Sequence, residues 1–109
     1  MPQLLNQFDL KPGVTRARFD AAWEAFIAHL LAQDLAVSGG PLMARQPGSG
    51  FDTDSAREYS LMGLIAFRDQ AQADAAWEAI ETRAEPLGQL HRAVFALVHD
   101  PVFTFWTER

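Results

Sequence analysis

The hexapeptide Asp20-Ala21-Ala22-Trp23-Glu24-Ala25 recurs as Asp74-Ala75-Ala76-Trp77-Glu78-Ala79, 54 positions further along a chain of 109 residues. A six-residue identity that includes tryptophan, at a spacing of about half the chain, marks two copies of one supersecondary unit, about 1–54 and 55–109, within a single domain spanning 1–109. Each copy sets its Trp on a helical stripe. Phe19, Trp23, Phe26, Ile27 and Leu30 recur at helical spacing around the first, and Ala73, Ala76, Trp77, Ile80 and Ala84 around the second. Thr15 and Asp69 stand where N-caps of these helices belong. Both tryptophans are therefore expected as core anchors.

The segments around the helices complete a plan. Leu4 to Leu10 is short and partly alternating and closes at Lys11-Pro12-Gly13, which predicts a strand followed by a type II turn. Leu35 to Ala44 is apolar but broken by Gly39-Gly40-Pro41, the pattern of a bent edge strand. Residues 46–57 are turn formers and predict a loop between the halves. Glu58 to Phe67 is the clearest strand. Leu87 to His99 reads as strand or helix, and helix is favoured: Pro86 opens it, Leu87, Leu90, Val94, Leu97 and Val98 are helically spaced, and Asp100-Pro101 stops it. Val102 to Thr107 is then the last strand. The order is a split βαβ plan of the α+β class: a four-stranded antiparallel sheet with helices on one face.

Composition limits the partners. The chain lacks cysteine, which excludes disulfides and thiolate chemistry and makes the cytoplasm the expected location. Net charge is −5 with scattered cations, so neither nucleic acid nor an anionic membrane is an expected partner. No phosphate-binding glycine loop occurs, and no cofactor is expected. His91 and His99 lie eight apart, not at the i, i+4 spacing of helical metal ligands, so no metal is expected either.

One strand points to self-association. Both alternating faces of Glu58 to Phe67 are apolar, with Leu61, Gly63 and Ile65 on one and Met62, Leu64 and Ala66 on the other. Helices cover one face; a second copy related by a two-fold axis is the simplest cover for the other. A homodimer whose sheets face each other around a mostly apolar space follows.

Leu10-Lys11-Pro12-Gly13 directly after the first strand, the aromatic-striped first helix, and the Leu90-His91 helix leading into a C-terminal strand resemble the dimeric α/β-barrel superfamily of ferredoxin-like proteins. The start at Leu10 to Val14 and the stretch Leu90 to Asp100 are similar to an uncharacterised family within it. The resemblance implies the fold and dimerisation but no shared reaction. Of the Asn-Trp-His set of the haem-degrading branch, Asn6 lies on the first strand as in that pattern, but Trp77 occupies the helix position where the histidine belongs.

Three residues are candidates for a site between the sheets. His91 and Tyr59 are the candidate proton-transfer groups, and Gln7, which shares a strand face with Leu5 and Asp9, should face the dimer space with them as ligand contacts. The expected role is binding of a small, largely apolar molecule. The alternatives are a cofactor-independent monooxygenase or isomerase, and a structural or regulatory dimer with a filled cavity. His29 is expected as a surface or structural residue, and Arg45 and Arg57, which bracket the loop, as solvated charges.

Overall fold

The computed structural model describes residues 1–109. It runs β1 (Gln3–Leu10), α1 (Arg16–Ala32), β2 (Ser38–Gly39), β3 (Met43–Ala44), β4 (Leu61–Ala66), α2 (Gln70–Glu81), α3 (Leu87–Phe95) and β5 (Val98–Trp106). The sheet order is β2-β4-β1-β5, with β3 also paired to β4, and every pairing is antiparallel. The broken edge strand is present as β2 and β3, two short pieces on either side of Pro41 that bring the strand count to five. None of the helices is long and apolar enough to cross a membrane.

Local chemistry starts each helix. The Arg18 amide donates to Thr15 Oγ1 at 3.2 Å, and the Gln72 amide donates to Asp69 Oδ1 at 2.8 Å, so both expected caps hold. Before α1, Gly13 takes φ 84°, the left-handed value that a type II turn requires, and Val14 N–H closes the turn onto the Lys11 carbonyl. The stripe from Phe19 to Leu30 is buried against the sheet in one core with Phe8, Ile65, Leu87 and Val94.

Two boundaries differ from the sequence expectation. The helix after Pro86 ends at Phe95, and β5 begins at Val98, so His99, Asp100 and Pro101 belong to a strand. Pairing with β1 explains this: Leu10 faces Val98 and Asp9 faces His99, and a register shift between Gln7 and Asp9 accommodates Asp100, at φ 55°, and Pro101. An edge strand tolerates a proline whose missing N–H would have pointed outward. The ladder of β4 begins only at Leu61, which leaves Glu58, Tyr59 and Ser60 in the connection, where Asp9 Oδ1 accepts from Ser60 N–H and Oγ at 2.9 and 2.6 Å.

Register assigns the faces. Leu4, Ile65 and Phe105 form one cross-strand row, and Asn6, Gly63 and Phe103 the next; these face the helices. Leu5, Leu64 and Thr104, then Gln7, Met62 and Val102, form the rows of the opposite face, which no element of the chain covers.

Candidate functional site

The apolar cavity of the chain lies between sheet and helices, not on the open face. It has a volume of about 230 Å³, and 10 of its 12 lining residues are hydrophobic. Strands β1 and β4 form its floor; Phe26 of α1, Trp77 of α2 and Phe95 of α3 stand around it. The polar pair in this lining is Asn6 and His91.

Asn6 falls in the alternation Leu4, Asn6, Phe8, Leu10, the only polar member of the helix-facing side of β1. It is 1% exposed. Its Nδ2 donates to the Gly63 carbonyl at 3.2 Å and the Leu4 carbonyl at 3.4 Å. Two acceptors on that side fix which end is nitrogen, and the oxygen must point the other way. Oδ1 accepts no hydrogen bond within the chain, and unlike Asp20 Oδ1 it is not sealed off; it abuts the cavity. Gln72, the other buried polar residue, uses both ends: its oxygen accepts from Arg68 N–H at 2.7 Å and its nitrogen donates to the Asp34 carbonyl at 3.0 Å. A donor placed in the cavity can therefore bond Oδ1.

His91 lies on the cavity side of α3. Its ring packs edge-on to Phe26, with centroids 5.8 Å apart, and against Phe95 at 4.7 Å. Burial among these rings, assisted by the neighbouring Arg92 charge, pulls its pKa below the ordinary 6.5 and keeps it neutral at pH 7. A neutral imidazole offers one donor and one acceptor, and neither nitrogen of His91 is used within the chain. No carboxylate orients the ring: Glu85, the nearby acid, receives Arg92 Nη2 at 3.0 Å and the Gln89 amide at 3.1 Å.

The expected trio of His91, Tyr59 and Gln7 divides between the two faces. Gln7 and Tyr59 line a more open concavity of about 570 Å³ on the uncovered side, beneath the loop 46–57, while His91 is across the sheet. The reason is geometric: α3 packs on the helix face, whereas Gln7 shares its row with Met62 and Val102. His99 is exposed opposite Asp9 on β5, and His29 is half-buried on α1. Arg45 is not a solvated charge. Its Nε and Nη2 grip both carboxylate oxygens of Asp52 at 2.6 and 2.7 Å, and it also donates to the Asp54 and Arg57 carbonyls. Arg57 in turn pairs with Asp54. The Arg45 hydrogen bond holds the Asp52 carboxyl below its usual pKa.

Trp77 also departs from expectation. It is half-buried and walls the cavity, in edge contact with Phe67 at 5.3 Å and Phe105 at 5.7 Å. The sequence signal for the site was the lone polar Asn6 in a row of large apolar residues; its placement next to His91 had no counterpart in spacing.

Among solved structures the chain is similar to a protein of Arabidopsis thaliana, At3g17210, at TM-score 0.75 and 6% identity, covering 100% of this chain and 96% of that one. It is also similar to an antibiotic biosynthesis monooxygenase, at TM-score 0.61 and 14% identity with 100% and 99% covered. A dimeric ferredoxin-like protein of unknown function from Thermobifida fusca matches at TM-score 0.61 and 12% identity, with 98% and 90% covered. At these identities the likeness shows a shared ferredoxin-like fold. No curated protein matches the chain in sequence. Residues 1–108 match a family of unknown function, DUF6614, and the chain belongs to that family.

Proposed function

We propose that the protein acts as a homodimer, each subunit of which binds one small, largely apolar molecule carrying an O–H or N–H donor in the helix-side cavity. The observation that carries the binding reading is Asn6 Oδ1, which accepts no hydrogen bond within the chain and belongs to a 1% exposed residue in the lining of an apolar space. At about 230 Å³ the cavity is smaller than the roughly 300–1,000 Å³ of drug-sized sites, so the ligand has one or two rings at most. Neutral His91 supplies a second polar contact. With no carboxylate to hold its tautomer, binding is preferred to proton transfer.

The dimer reading is supported by the uncovered sheet face, where Leu5, Met62, Leu64, Val102 and the 60% exposed Trp106 meet water in the single chain. The Thermobifida fusca relative of the same fold is described as dimeric. The lack of cysteine fits a reducing compartment such as the cytoplasm.

Titration with phenol and with toluene tests the site, because the two differ only in the donor. Phenol should bind more tightly and perturb the Asn6 side-chain amide and His91 ring signals by NMR, and Asn6→Leu should erase the preference. Equal affinity for both ligands, or signal changes confined to the open face, would overturn it. A light-scattering mass of one 12.1 kDa chain would refute the dimer.

A further inference from the structure

Phe51 stands apart from every other exposed aromatic residue. Phe103 still packs on Phe95 at 5.5 Å, Phe105 on Trp77 at 5.7 Å, and Trp106 Nε1 donates to Thr104 Oγ1 at 2.7 Å. Phe51 is 98% exposed and its ring stacks on no other ring of its own chain. Yet its position is built. The next residue, Asp52, is gripped by Arg45 through two bonds, while Asp54 Oδ1 accepts the Ala56 and Arg57 amides at 2.9 and 3.2 Å and folds the loop on itself. The loop shares its concavity with Gln7 and Met62, so it rises from the open sheet face.

The area of that face leaves room for it. Four strand positions about 4.8 Å apart and an eight-residue β1 give a patch on the order of 500 Å² per subunit, below the about 800 Å² per partner of a stable interface. A second contact would enlarge the interface toward that size. The same face carries, toward its Trp106 end, a concavity of about 390 Å³ floored by Leu5, Leu64 and Trp106 and rimmed by Gln3 and the ion pair of the Met1 amino group with Glu108.

We infer that Phe51 is an exchange arm: in the dimer it inserts into the concavity of the second copy beside Gln3, Leu5 and Trp106, and the second copy's arm does the same in return. This rests on the dimer reading above. A two-fold axis running across the strands brings the loop end of one sheet over the Trp106 end of the other, so one contact type is made twice.

The chain has no cysteine, which makes engineered cross-links unambiguous. Gln3 and Phe51 are both exposed, so Phe51→Cys and Gln3→Cys should leave the fold intact. Under mild oxidation the double variant should form a covalent dimer and neither single variant should. Separately, Phe51→Ser should raise the dimer dissociation constant at least about a hundredfold, since the contact is lost twice, and Phe51→Leu should recover most of it. A native protein that is monomeric refutes the dimer itself. A native dimer in which the double variant fails to cross-link at concentrations where it still dimerises, in which Phe51→Cys alone cross-links, or in which Phe51→Ser leaves affinity unchanged overturns the arm and leaves the dimer standing.

Discussion

Trp23 and Trp77 occupy the same place in identical hexapeptides, yet Trp23 is 3% exposed and Trp77 is half-buried as a wall of the cavity. What differs is the surface underneath. Trp23 lies over Gly63, where a Cβ would sit 2.9 Å from its ring, and Phe19 and Phe26 flank it at 6.3 and 6.1 Å. A strand position without a side chain lets the indole settle onto the sheet. Trp77 instead meets Phe67 and Phe105, two large rings that hold it off the floor. The repeat thus supplies one tryptophan that is buried on the sheet and one that stays half-exposed at the cavity wall.

The largest expected effect is at the sealed copy. Trp23→Ala should destabilise the protein by about 3–5 kcal/mol in denaturant unfolding, the range for a large buried aromatic. Gly63→Ala attacks the same contact from below and should cost about 1–3 kcal/mol by overpacking, since Leu42 also lies 3.1 Å from the added methyl. If Gly63→Ala were neutral, the strand glycine would not be what seats Trp23. Trp77→Ala should cost less, about 1–2 kcal/mol for a half-buried ring, and should enlarge the cavity so that two-ring donors such as 1-naphthol gain affinity relative to phenol. Equal losses for the two Trp variants would erase the distinction between the copies.

The smallest effect is a pH dependence at the cavity. The folded pKa of His91 lies below 6.5, so well above pH 6.5 the ring is neutral in folded and unfolded chains alike. Below 6.5 the unfolded chain takes up the proton first. Stability should therefore fall as pH drops through this window and level off once folded His91 is also protonated. Melting temperature measured across that range should show the decline, and His91→Gln should flatten it. An unchanged slope in the variant would mean that His91 is not the buried group the packing implies.

Much of the fold was legible because local rules carry it. Thr15 and Asp69 cap their helices, Gly13 makes its turn, and Pro41 breaks the edge strand, each through chemistry within a few residues. The β5 boundary escapes local rules: Asp100-Pro101 looks like a helix stop, while pairing with β1 draws His99 to Pro101 into the ladder through a register shift. Tyr59 is a similar case: its alternation is that of a strand, but the ladder begins two residues later.

Two repeated units, their capped helices, a sheet with two apolar faces and a set of polar candidates all follow from local rules. Which of those candidates share a site depends on how the elements pack. Periodicity states which residues lie on one side of one element, but not which side of the sheet a later helix will pack on. Placement of α3 over the helix face took His91 away from Gln7 and Tyr59 and set it on the cavity of Asn6 and Trp77.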